Sequence, residues 1–249
     1  MSYFTSRLSD FLVARSFIAL NEGYERERQR KYEVLNDYYN GGDTCAKYLI
    51  PHTAERDDEF ATRKRRFASF NYARRVADKF ISAVYKQPPE RTFGEKDDIN
   101  EQAAELYEQT KFDRKTRLIG QGQVVVGDGF CKIWYDEDDA VVRVSEFPAE
   151  RVYPIVDPDD CDSLDALVEE RVYYEWDAKA KTQTPQVRWW LWTPTEWTEL
   201  FAGGGEGETK PNPYGVIPFA HFRGLPASGS YLGRSIIEDI VTLQALLNN

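Results

Sequence analysis

His52 and His221 are the two histidines of the chain, and Cys45, Cys131 and Cys161 are its three cysteines. These side chains are the first to examine for chemistry near neutral pH, because imidazole exchanges protons there and thiolates attack or bind metals. Their spacing serves neither purpose. The histidines lie far apart, one in a predicted loop and one in a predicted strand, so each reads as a satisfied or solvent-facing ring rather than a general base. No Cys-x-x-Cys pair occurs, and no His/Cys/carboxylate cluster has zinc spacing. The thiols read as small core residues of a protein from a reducing compartment.

Other candidate motifs fail for equally concrete reasons. The acidic stretch Asp157 to Asp165 suggests a cation loop, or a nuclease or ligase-like site using a divalent ion. It lacks the Asp-x-Asp-x-Asp-Gly order and closing Glu of an EF-hand, and a solvated loop is favoured. Gly120-Gln121-Gly122 with Gly127 misses the G-x-G-x-x-G spacing and precedes a strand pattern, whereas the dinucleotide fingerprint runs from strand into helix. Gly203 to Gly207 lacks the Gly-Lys-Ser/Thr of a phosphate loop, and no G-x-S-x-G elbow is present. No catalytic, cofactor or metal residue is assigned.

Two surfaces remain as nucleic-acid candidates. One is the basic run Arg63-Lys64-Arg65-Arg66 with Arg74 and Arg75, giving the alternative of a nucleic-acid-binding module built on a helix over 63–75. Asp57, Asp58 and Glu59 precede the run and at helical spacing would neutralise part of it, so a solvated or subunit-facing surface is favoured. The other is the set Tyr173, Tyr174, Trp176, Trp189, Trp190, Trp192 and Trp197, which could stack bases but reads better as core.

These residues must be held by an α+β chain. Tyr24–Tyr39 predicts a helix with Tyr32, Leu35 and Tyr38/Tyr39 on one stripe, stopped at Asn40-Gly41-Gly42. Phe60, Phe67, Phe70, Ala73, Val76/Ala77, Phe80/Ile81 and Val84 recur at helical period, predicting one long helix from Asp58 to Lys86 that ends at Pro88-Pro89. Helices follow over Asn100–Gln109 and from Asp113 to Gly120. The pattern then turns to strands: Gln123–Val126, Phe130–Tyr135, Ala140–Phe147, Val152–Val156, Glu169–Trp176, Val187–Thr193 and Glu196–Ala202. These predict an antiparallel meander, with Gly203–Gly207 as a flexible tip and a further strand over Val216–Phe222. A last helix opens with Ser235-Ile236-Ile237-Glu238, the capping-box form. Its apolar stripe is Ile236/Ile237, Ile240, Leu243 and Leu246/Leu247. No stop signal follows before Asn249, so the helix is expected to belong to a truncated chain.

The chain has 249 residues, 41% hydrophobic and 30% charged, with 32 basic against 42 acidic side chains. That acidic balance argues against a tight nucleic-acid binder, whose affinity comes largely from neutralised phosphates. Ser2 to Ser9 is polar with no apolar signal region, and no run reaches the roughly 20 apolar residues of a membrane span. A soluble, cytoplasmic protein is expected.

The order of several short motifs is more specific than any one of them. Tyr32 leads to Tyr38-Tyr39-Asn40-Gly41. Phe70-Asn71-Tyr72, Val76-Ala77-Asp78 and Ala83-Val84-Tyr85 follow, then the double proline. Phe112 leads to Gly127-Asp128-Gly129-Phe130, then Phe147-Pro148 and Val152-Tyr153-Pro154-Ile155. Gly215-Val216-Ile217-Pro218-Phe219 precedes Gly233-Arg234-Ser235 and a helix containing Leu243-Gln244 and Asn248. Over residues 24–249 this series resembles the N-terminal part of portal proteins of long-tailed (siphovirus-type) double-stranded DNA bacteriophages. The resemblance implies a structural subunit and not an enzyme, without cofactor. It would stand in a ring, usually of twelve, at the capsid vertex of the virion, and in the host cytoplasm during assembly. Double-stranded DNA would pass through the ring without tight binding during packaging and ejection. The implied partners are further copies of itself, the terminase large subunit, head-completion or adaptor proteins, and scaffold and capsid proteins, with no membrane. Residues 1–228 would be a wing-like α+β domain and 229–249 the start of a stem helix, with Ser235, Glu238, Ile240 and Leu243 at that start. The clip, the rest of the stem and the crown would be absent.

Overall fold

A computed structural model describes residues 22–68, 70–93, 97–177, 181–201 and 206–248. Helix α1 (Glu22–Asn40) turns Tyr32, Leu35 and Tyr38 inward and closes at Gly41, whose N–H reaches the Asp37 carbonyl at 2.8 Å. A single turn, α2 (Asp43–Ala46), follows. The long helix expected over 58–86 is in fact two, α3 (Asp57–Arg65) and α4 (Tyr72–Val84). The break is made by Asn71. Its side chain accepts the Arg74 N–H at 2.8 Å as an N-cap and donates to the Tyr39 carbonyl at 2.8 Å, so a new helix starts there. Only Ala73, Ala77 and Ile81 of the expected stripe are buried, while Phe70, Phe80 and Val84 face solvent.

Helix α5 spans Asp97–Thr110 and α6 spans Phe112–Val125. The expected strand at 123–126 is therefore a correction, since Gln123–Val125 is the last turn of α6. Packing overrides the β-branched run: a Cβ at Gly120 would stand 2.2 Å from the Tyr85 ring, so α6 lies against the segment after α4 as closely as backbone allows.

The strands form two antiparallel sheets. One has the order β2-β1-β8, from β1 (Asp128–Asp136), β2 (Val141–Phe147) and β8 (Phe219–Arg223). The other is the meander β3-β4-β5-β6-β7, from β3 (Val152–Val156), β4 (Leu164–Asp177), β5 (Thr182–Trp192), β6 (Glu196–Phe201) and β7 (Glu206–Pro211). Of the expected tip Gly203–Gly207, residues 203–205 lie outside the described residues, and Glu206-Gly207 opens β7. The strand expected from Val216 begins only at Phe219. The expected aromatic core of the meander is only partly real: Trp192 is buried, but Tyr174 and Trp176 are exposed on the distal part of the β4–β5 hairpin.

The main core lies where α1, α4, α6 and the two sheets meet, around Phe130, Val152, Leu167 and Ile237. Helix α7 (Glu238–Asn248) packs onto it through Val241 and Gln244. No helix among the described residues is long and apolar enough to cross a membrane.

Candidate functional site

The residues flanking α7 converge with those that open β1, and the meeting point is a crossing of backbones. The chain leaves α6 through Gly127, leaves β8 through Gly224, and returns through Gly233. A Cβ on Gly233 would lie 2.4 Å from the Gly127 oxygen and 2.7 Å from the Gly224 nitrogen. Gly127 also has φ +99°, a region that L side chains rarely adopt. Without side chains the three segments hydrogen-bond directly: Gly224 N–H to the Gly127 carbonyl at 2.7 Å, and Leu225 with Arg234 in both directions at 3.0 and 2.7 Å.

Asp128 sits beside this crossing, fully buried. Its Oδ2 accepts the Tyr32 hydroxyl at 2.6 Å, and its Oδ1 accepts the Gly233 N–H at 2.7 Å and faces His221 Nε2 at 2.8 Å. One carboxylate thus joins α1, β1, β8 and the strap before α7. The His221 ring is stacked between Phe130 and Tyr231, with centroids 4.5 and 4.6 Å away. An Asp–His pair is half of a proton-relay triad. Here no hydroxyl or thiol among the described residues hydrogen-bonds the His221 ring, and the aromatic sandwich closes off both of its faces. The geometry braces the fold, tying α1, β1, β8 and the strap before α7 together. Burial pushes the pKa of Tyr32 far up, and that of Tyr231 up to about 12. His52 lies in an exposed loop.

Ser235 is buried, donates to the Val125 carbonyl at 2.6 Å and accepts the Ile237 N–H at 3.1 Å. The expected capping box does not close. The Glu238 carboxylate goes to Lys31 at 2.8 Å and lies 3.9 Å from Arg234, and the regular helix begins at Glu238. Ile240 packs partly against the main core, whereas Leu243, Leu246 and Leu247 are exposed. Gln244 is the residue sequence reasoning missed. Fully buried, it offers Oε1 to the Ala73 N–H at 2.9 Å. That N–H is one of the unsatisfied donors in the first turn of α4. Asn71 and Gln244 therefore cap the same helix end from opposite parts of the sequence, and both lie in the motif series read above.

A second buried cluster joins the sheets. Lys132 of β1 donates to Glu169 of β4 at 2.7 Å, Trp192 Nε1 donates to the same carboxylate at 3.0 Å, and Arg171 donates to its other oxygen. The Lys132 ammonium lies 4.1 Å from a Trp192 ring centroid, within cation–π range. Burial pulls its pKa down to about 8, against the pull of Glu169.

The basic run is divided between elements. Arg63 is paired with Glu55 at 2.8 Å, not with Asp57–Glu59, while Lys64, Arg65, Arg66 and Arg75 are exposed. The acidic stretch folds on itself, Asp157 and Asp160 accepting the N–H groups of Asp159 and Asp162 at 2.8 and 3.0 Å, and Asp162 pairs with Arg223. Among the described residues no three His, Cys, Asp or Glu side chains are placed to hold an ion.

Residues 19–249 match a family model described as phage portal protein, SPP1 Gp6-like. No curated protein matches the chain.

Proposed function

The chain belongs to the phage portal protein family of the SPP1 Gp6-like kind, and on that premise we propose that it is a subunit of the ring at the capsid vertex. Residues up to 228 form the wing-like body, and the strap from 229 with α7 begins the stem. The ring, of about a dozen copies as the family resemblance implies, is a conduit for double-stranded DNA in packaging and ejection. It is also the docking place of the terminase large subunit, head-completion proteins, and scaffold and capsid proteins. The subunit itself does no catalysis.

The observation that carries this reading is the family match across residues 19–249. The anchored α7 supports it. Its inner face is fixed by Val241 and Gln244, with buried Ile237 just before it, yet Leu243, Leu246 and Leu247 are 62–73% exposed, an apolar face suited to further protein. The acidic balance of the chain suits a conduit, since a basic lining would hold DNA by its phosphates. The test is negative-stain electron microscopy of the protein expressed in its natural reading frame. Rings with a central channel are expected. Monodisperse single subunits at all concentrations would sink the reading.

The exposed Lys64, Arg65, Arg66 and Arg75 favour one other reading, a nucleic-acid-binding module. Titration with labelled DNA at two salt concentrations separates the two. Micromolar binding that falls steeply with salt belongs to the module.

A further inference from the structure

Charge is distributed very unevenly over this acidic chain. From Phe60 to Lys86 there are eight basic residues and one acidic one, although the whole chain has 32 basic against 42 acidic. The basic groups line the outside of α4 and the segment leading into it. Lys64, Arg65, Arg66, Arg75 and Lys79 are all exposed, and none forms an ion pair among the described residues. Exposed Tyr72, Phe80 and Val84 lie among them.

Helix α5 is the opposite. It carries five acidic residues and no basic one. Asp98, Glu101, Glu105 and Glu108 follow at spacings of three and four, which puts them on one face. All four are exposed without an ion pair among the described residues, and Ile99 and Leu106 are exposed on the same helix. Like charges three or four apart weaken the helix that bears them, so each stripe is a local cost, offset among the described residues only by the Arg74–Asp78 pair on α4. The two helices look outward from different sides, α4 packing on α1, α6 and α7, and α5 on α6 and β2. A head-to-tail contact needs just this, two different and complementary faces on one chain. Opposed charges around apolar side chains also match the composition of protein interfaces.

We propose that the basic outer face of α4 on one copy of this chain receives the acidic stripe of α5 on the next. The proposal rests on the ring reading and names the surfaces that close the ring. It requires Arg75 and Lys79 to face Glu101 and Glu105 across the contact, with Tyr72 and Phe80 near Ile99 and Leu106.

Charge reversal tests it in the natural-frame protein, by analytical ultracentrifugation at low and moderate salt. One variant carries Arg75→Glu and Lys79→Glu, the other Glu101→Lys and Glu105→Lys. All four sites are exposed, and circular dichroism confirms the fold. Each variant alone is expected to self-associate about tenfold or more weakly, because like charges then meet. An equimolar mixture restores assembly, since the two reversed faces then meet each other and the two unreversed faces meet each other. Assembly of both single variants as tightly as wild type overturns the proposal and leaves the ring reading standing. Failure of the wild type to self-associate removes both. Loss of DNA retention by the α4 variant, with assembly unchanged, assigns the face to nucleic acid and also overturns the proposal.

Discussion

At the scale of single residues, the most consequential group is Asp128. Its carboxylate is fully buried and is satisfied by the donors around it, Tyr32 and Gly233 N–H, with His221 at hydrogen-bond distance. Removing one donor leaves a buried charge short of a partner, which costs about 1–3 kcal/mol. Tyr32→Phe should lower the unfolding free energy from urea denaturation at pH 7 by an amount in that range. The same tyrosine sets an alkaline limit. Burial, followed by the charge of Asp128, raises the Tyr32 pKa far above 10. Burial is also the main cause of the rise at Tyr153, and at Tyr231 to about 12. A raised pKa means the folded state keeps a proton that the unfolded chain has released. The stability from these hydroxyls is thus complete below pH 10 and is lost as pH climbs through the folded values. Chemical denaturation from pH 9 to 12 should show a steep fall beginning near 10, shallower in Tyr32→Phe. An equal slope in both proteins would mean that Tyr32 does not titrate with folding.

At the scale of elements, the question is what fixes α7. Its own propensity does little, since eleven residues make a marginal helix in water. Its place is set by the glycine crossing before it and by Gln244 within it. Gly233→Ala puts a methyl 2.4 Å from one backbone atom and 2.7 Å from another. Backbone cannot rotate aside as a side chain can, so the expected loss is about 1–3 kcal/mol or more. The loss should also be local. Hydrogen exchange should show faster amides at Ile236, Val241 and Ala73, which are held by the Val124 carbonyl, the Ile237 carbonyl and Gln244. Protection along β4 and β5 should be unchanged. Uniform acceleration over both sheets would contradict this anchoring. Sequence legibility divides at this scale too. Helix α1 and its stop at Gly41 were readable because every determinant is local. The break before α4 was not, because Phe67 and Phe70 continue the helical period while the cap at Asn71 depends on Tyr39. Val124 and Val125 read as strand because their propensity is local and the packing that makes them helical is not. The Asp128 hub joins residues about a hundred positions apart, and no spacing rule reports that. What could be read was the ordered series of short motifs: Gly127-Asp128 and Gly233-Arg234-Ser235 meet at the crossing before α7, and Asn71 and Gln244 meet at the start of α4.

At the scale of the whole molecule, the two sheets must hold together as one body, and Lys132 of one with Glu169 of the other is a buried polar link between them. A buried ion pair is weak evidence for stability in itself, because desolvation offsets much of the attraction, but breaking it on one side is costly. The asymmetry is measurable. Glu169→Gln leaves Lys132 charged beside Trp192 and Arg171 with no carboxylate, and should cost about 3–5 kcal/mol. Lys132→Met keeps a chain of similar length among Trp192 and Phe219, and Glu169 still accepts from Trp192 and Arg171, so it should cost less. The pH dependence identifies the lysine. Burial lowers its pKa from 10.5 to about 8, so between those values the unfolded chain binds the proton more than the folded one. Stability from this group therefore rises as pH increases across the window. Wild type should gain stability from pH 8 toward 10 before the tyrosines reverse the trend, and Lys132→Met should lack that gain. If both variants lose the same stability and keep the same slope, the sheets are held by their apolar contacts alone and the ion pair is incidental.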